Sequence, residues 1–506
     1  MKMNSIYFLD KRSIALFRIT LGLVLIYNFI VYKLIPAQEY LLPETGLIGN
    51  KYKQIFISRQ LWSPIDFMTT DTQFYIVSAI TLFVFFMLAI GCFTKWISVA
   101  AYFLFLSFQQ RYYPLEMGWD KYINVMLFIS MLLPLNHFFS IDKLLLKKKF
   151  RDSDIEYRHP FALVMLVQIG IIYFFSGIVK NGDIWLAGDA VKIAVNDFLQ
   201  HTFLTEYLLK SSALLKVLNY YTIVFEVLLL FLLFFPYKNK QLRYAAIGII
   251  ISFHWGVSLF LNVGHFKWIT LAVCTVLLPD TFWIYLSKLK PKLKNYIIPE
   301  PQTDRPGQHR YQWYFAVILS TFLISFMFHN GFRKLAFRGG SISEYMQSEN
   351  IGQILENTVF YPSKFLLSSY FNQSWFFYAP NPPELSGVYA LSGKLNGSEY
   401  TINHIGSNPR SDLRKSYYVS DLDMFFQEKL ALYSLQLNNF EQTSKMYQEL
   451  NRLWMMARYE NWKEANPEIR LDGIILRYIY YNRSEEMFFD LKNWKAHLVE
   501  SVEFSW

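Results

Sequence analysis

Nine stretches of this chain are apolar enough to span a bilayer or nearly so: residues 14–34, 73–93, 96–110, 121–138, 161–179, 217–236, 243–262, 266–287 and 311–329. Hydrocarbon offers the backbone no hydrogen-bonding partner. Each stretch must therefore satisfy its own N–H and C=O groups, and a helix does so within one segment. A crossing needs about 20 residues, so the third stretch is short for one. Only 17% of the 506 residues are charged, against roughly a quarter in a soluble domain. The sequence predicts an α-helical polytopic membrane protein of about nine transmembrane helices, with a second, polar domain from residue 332.

Lysine and arginine set the orientation. Lys2, Lys11 and Arg12 precede the first stretch. The fourth connection carries Lys143, Lys147, Lys148, Lys149, Arg151 and Arg158. The sixth has Lys238, Lys240 and Arg243, and the eighth has Lys288, Lys290, Lys292, Lys294, Arg305 and Arg310. All fall on one side, which the positive-inside rule makes cytoplasmic. Residues after His329 then lie outside, in the periplasm of a bacterial inner membrane. Ile14–Leu34 lacks an A-x-A-like cleavage site and reads as the first membrane helix. Cys92 and Cys274 sit in apolar segments and support neither a disulfide framework nor a cysteine metal site. Residues 332–506 carry 18 Lys and Arg against 20 Asp and Glu, so the net charge of +10 belongs to the membrane part. No nucleic-acid partner is needed to explain it.

Residues 332–506 read as an α+β domain. A helix is expected at 343–358. The segment Gln373–Pro383 is aromatic and punctuated by proline. Alternating apolar residues flank Asn396-Gly397, a hairpin signal. The pattern turns helical from Met424, and strands are expected at Ile474–Tyr481 and Ser501–Trp506.

Ionisable groups within membrane spans are candidate functional residues. Arg18 lies one turn into the first stretch, where a snorkelling role is expected. Glu226 lies near the middle of the sixth and cannot reach water, which calls for a buried partner or a proton-accepting role. His254 lies in the seventh. Asp120 opens the fourth, after Trp119, where it either complements the helix dipole or serves a site. His265 and Lys267 bracket the start of the eighth. Lys180 follows Ser176-Gly177 at the end of the fifth stretch, before the Asn181-Gly182-Asp183 turn and Trp185. It is either a snorkelling anchor or a lysine desolvated enough to act as a base. Lys180, Asp120 and His265 all approach the non-cytoplasmic face. No zinc or iron triad, Ser-His-Asp signature or phosphate-binding loop is present.

FFSGIVKNGDIW (Phe174–Trp185) resembles the segment of vitamin K-dependent gamma-glutamyl carboxylases that carries their catalytic lysine. A small residue and glycine precede the lysine there, and a tryptophan follows five residues later. NHFFSIDKLL (Asn136–Leu145), FHWGVSLFLNVGHFKWITLA (Phe253–Ala272) and RITLGLVLIYNF (Arg18–Phe29) are similar to further stretches of that family, and place His254 on a family histidine. The wider group is the HTTM (horizontally transferred transmembrane) family, and the similarity covers residues 10–330. The chain departs at Val179, where the carboxylases have a second lysine. It departs again at Trp119-Asp120-Lys121, which lacks their histidine. QSWFFYAPNPP is similar to soluble domains of bacterial HTTM proteins.

The resemblance implies a reduced quinone (menaquinol or vitamin K hydroquinone-like) in the bilayer. Lys180, His254 and Asp120 would be catalytic, and Trp119, Trp185, His265 and Glu226 would line the substrate or quinone site, with no metal. The substrate would be a periplasmic or secreted polypeptide, beside contact with membrane lipid. The other reading, without catalysis, is an inner-membrane scaffold or maturation partner for an envelope protein, with the aromatic stretch 368–383 as its binding surface.

Overall fold

The computed structural model describes residues 8–35, 42–46, 63–111, 116–145, 155–196, 202–290, 310–337, 378–382, 385–403, 466–482 and 497–505, and a few positions between 456 and 464. Helices lie over the apolar stretches, and a short one, α6, lies between the fifth and the sixth. They are α1 (Lys11–Phe29), α2 (Asp71–Ile90), α3 (Thr94–Arg111), α4 (Gly118–Ser130), α5 (Pro160–Ile178), α6 (Asp183–Ala187), α7 (Ser212–Phe234), α8 (Asn239–Phe260), α9 (Phe266–Val276), α10 (Asp280–Leu289) and α11 (Arg310–Phe337). Among the described residues five helices are long and apolar enough to cross a membrane: α1 with its extension to Leu34, α2, α5, α7 and α8. Outward-facing Ile76, Ile80, Phe83 and Phe86 on α2 give lipid an apolar surface.

By this measure the expected count of nine crossings is not reached. Helix α4 has 13 residues and stops at Ser130. Tighter turns follow, with Leu132 N–H donating to Ile129 O and Leu133 N–H to Ser130 O, up to Pro134, which has no N–H to continue a helix. The eighth stretch is broken. α9 and α10 meet at a bend of 92°, with Pro279 at the N-cap of α10. Counted as one span, the pair brings the number to six.

Capping explains several boundaries. Thr70 caps α2 in a capping box with Gln73. Asp142 accepts from Phe93 N–H and Thr94 N–H at 2.6 and 2.8 Å, tying the loop after α4 to the start of α3. His159 caps α5 by accepting from Phe161 N–H. α1 does not stop at Phe29 but widens into a π-helical turn, Ile30–Leu34, a local form frequent at functional sites.

Arg18 corrects one expectation. It does not snorkel: it is fully buried, and its guanidinium donates to the carbonyls of Leu135 and Phe139. It thus ties α1 to the turn that follows α4, at Leu135 and Phe139. α1 packs against α2 and α9, and α5 packs against α7 and α11. The α5–α7 contact is close because of Gly170 and Gly177, two turns apart on one face. A Cβ on Gly177 would lie 2.9 Å from Val227 and 3.0 Å from Glu226. Small residues permit this approach between membrane helices, and dispersion then holds it.

Beyond the membrane helices, Leu385–Leu395 (β1), Ser398–Asn403 (β2), Gly473–Asn482 (β3) and His497–Ser505 (β4) form an antiparallel sheet in the order β2-β1-β3-β4. The hairpin signal is realised: Asn396 and Gly397 both have positive φ, 51° and 77°, as the tight turn of a two-residue hairpin requires. β3 falls on the expected strand, and β4 starts four residues earlier than expected. The helices expected at 343–358 and through most of the stretch after Met424 lie outside the described residues, as does Gln373–Phe377.

Candidate functional site: two buried ion pairs in the membrane part

Lys180 sits just past the last turn of α5, its N–H bonded to Gly177 O at 3.1 Å. Its side chain folds back into the protein instead of reaching out, and only 4% of the residue is exposed. Nζ donates to Glu226 Oε2 at 2.6 Å, Ser176 Oγ at 2.9 Å and Ser176 O at 3.1 Å. Those three acceptors match the three donors of an ammonium. Ser176 Oγ donates in turn to Glu226 Oε1 at 3.1 Å. The snorkelling reading of Lys180 is therefore set aside on geometry. Glu226 has the partner its position demanded, delivered by the close α5–α7 approach. The indole of Trp185 lies over Nζ at 5.4 Å. Charges so far from water are tolerated only as a pair, and removing one member typically costs about 3–5 kcal/mol.

A second buried pair lies where α1 meets α4. Lys33, on the π-helical turn, donates to Asp120 Oδ2 at 2.8 Å, and Asn28 Nδ2 reaches Oδ1 at 3.4 Å. Oδ2 also accepts from Met117 N–H at 3.1 Å. Asp120 thus serves the start of α4 and is also paired within a buried polar cluster. His265 borders this cluster and is completely buried. Its ring stacks on Tyr27 at 5.0 Å and meets Tyr32 edge-on at 5.6 Å. The ring interacts with the Val24 backbone, though not as a well-formed hydrogen bond, and Asn28 Oδ1 accepts no well-formed bond among the described residues.

Aromatic rings join the two pairs. Tyr32 packs on Trp119 at 5.2 Å, Trp119 on Phe266 at 5.7 Å, and Phe266 on His254 at 6.3 Å. His254 Nε2 and the Tyr173 hydroxyl are 3.0 Å apart, and Tyr173 is on α5, the helix that Lys180 follows.

The seven expected residues thus fall into three groups. Lys180, Glu226 and Trp185 are in direct contact. Asp120, His265 and Trp119 cluster around Tyr32 and Lys33. His254 stands between the groups, touching Tyr173 and Phe266. Sequence reasoning did not single out Lys33, Asn28, Ser176 or Tyr173 as site residues. Lys33 and Asn28 carried a usable signal, because both are polar positions in the first apolar helix. No group of three or more His, Cys, Asp or Glu able to hold a metal ion occurs among the described residues.

The chain matches the family model of the HTTM domain over residues 8–283. No curated protein and no solved structure matches it.

Proposed function

The chain belongs to the HTTM family, and from that premise we propose that it is a membrane enzyme in which Lys180 takes a proton from a lipid-phase, quinol-like substrate. The observation that carries this reading is the Lys180–Glu226 contact of 2.6 Å, buried at the end of a membrane helix. An ion pair in this setting can hold its proton on either partner without changing its net charge. When Glu226 takes the proton, Lys180 is a neutral amine, which is the form that can accept another. Ser176 bonds to both groups and fixes their geometry. Trp185 covers the amine, and dry surroundings strengthen each of these interactions.

A reduced quinone suits the lining residues. In this reading the row Trp119–Phe266–His254 would supply the flat apolar faces. His265 and the His254–Tyr173 pair would offer hydrogen bonds to ring oxygens. Such a molecule would supply reducing power and an acidic hydroxyl. Asp120 and Lys33 would keep the far end of the row polar. The product chemistry, as in the carboxylases the sequence resembles, would modify a periplasmic or secreted polypeptide. In this proposal the chain crosses a bacterial inner membrane nine times, its N-terminus is cytoplasmic, and residues 332–506 form a periplasmic α+β domain.

The test uses the full chain in lipid nanodiscs supplied with menaquinol under air. Quinol is expected to disappear faster than in empty nanodiscs, and the excess is expected to vanish in Glu226→Gln. A rate equal to that of empty nanodiscs would favour the scaffold reading.

A further inference from the structure

A short segment far along the sequence closes over the Lys180 site. Trp185 Nε1–H donates to Tyr378 O at 2.7 Å. Gly182 N–H donates to Pro380 O at 3.1 Å. Ile184 N–H donates to Asn381 Oδ1 at 3.1 Å. Three hydrogen bonds thus join residues 378–381 to the turn that follows Lys180.

The local chemistry shows what this strap supplies. The N-cap of α6 is Gly182, which has no side chain, and α6 has no side-chain cap within its own segment. Ile184 is the second helical residue, the position whose N–H a capping oxygen normally takes. Asn381 provides that oxygen from about two hundred residues away in sequence. Gly182 itself has an ordinary φ of −76°, so its backbone does not call for glycine. The strap does: a Cβ there would lie 2.1 Å from Asn381 Oδ1. On its other side the turn is held by Asn219, whose Nδ2 donates to Trp185 O at 2.9 Å. Trp185 is clamped at both its indole and its carbonyl, with its ring over the Lys180 ammonium.

We infer that Asn381 is a positioning residue of the Lys180 site, and that the Tyr378–Asn381 strap holds Trp185 over the lysine and closes the site to water. This rests on the reading of Lys180 as the working group, but its test does not. The aromatic, proline-rich segment contributes these residues to the chain's own membrane domain. It is therefore not, at Tyr378–Asn381, a free surface for another protein.

The experiment measures how fast individual lysines react with a water-soluble amine-acylating reagent in the full chain in membranes, by peptide mass spectrometry. Exposed Lys210 is the reference for open access, and Lys33, paired with Asp120, is the reference for an intact interior. In the wild type, Lys180 is expected to be protected relative to Lys210. Asn381→Ala loses one capping hydrogen bond, which corresponds to about a fivefold rise in the open population. Gly182→Ala pushes the strap outward and is expected to act in the same direction. Asn381→Asp keeps an accepting oxygen and is expected to retain protection. Lys33 is expected to stay protected throughout.

Unchanged protection of Lys180 in both Asn381→Ala and Gly182→Ala would overturn the inference. So would wild-type labelling at the rate of Lys210, exposure in Asn381→Asp equal to that in Asn381→Ala, or opening of Lys33 together with Lys180. Because labelling reports cover and not proton transfer, a negative result here would leave the quinol assay to judge the proposed function separately.

Discussion

A single lysine at the edge of an apolar helix has two ways to lower its energy: reach water, or find an anion. Lys180 takes the second, and so does Lys33. A different titratable residue gives a testable consequence on the cytoplasmic side of the proposed topology. His159 caps α5 through Nδ1, which accepts from Phe161 N–H at 3.3 Å and must be unprotonated to do so. Burial lowers its pKa below the ordinary 6.5. Between those two values the unfolded chain binds the proton and the folded chain does not. This histidine's contribution to stability is therefore complete above about pH 6.5 and is lost as pH falls towards its folded pKa. His159→Asn keeps a capping oxygen without a titrating group. Thermal melting across that acid range should fall more steeply for the wild type than for the variant. Equal slopes would contradict the assignment. Single residues were only partly legible in the sequence. Glu226 announced that it needed a partner, because no mid-span carboxylate reaches water. The partner's identity could not be read, since it depends on how α5 and α7 pack across 46 positions.

At the scale of elements, the long helices were legible because apolar runs of about twenty residues leave the backbone no other solution. α1, α2, α5, α7 and α8 fall where the runs place them. The hairpin at Asn396-Gly397 was legible for a local reason, the positive φ that both residues accept. What failed was non-local or subtle. A continuous apolar run hid the 92° break between α9 and α10, although Leu278-Pro279-Asp280 marks the place. The π-helical turn at Ile30–Leu34 has no composition signal, yet it carries Lys33. Gly170 and Gly177 looked like ordinary small residues of a membrane helix. Their role as the contact surface for α7 follows only from the packing.

At the scale of the whole molecule, the proposed topology puts the membrane site and the C-terminal strands on one side of the bilayer, which the strap contacts require of Lys180 and Asn381. Alkaline phosphatase fused after Trp506 should be active, and a fluorescent protein that matures only in the cytoplasm should be dark. The opposite pair of results would reverse the orientation and exclude the proposed periplasmic substrate. The central claim is that Lys180 acts through a proton and not through its charge, and substituting that one residue tests it most directly. Arginine keeps the charge but cannot give up a proton usefully. A deletion strain complemented at equal protein level should fail with Lys180→Arg as fully as with Lys180→Ala. Rescue by arginine and not by alanine would contradict the account and leave Lys180 as a fixed cation within a scaffold.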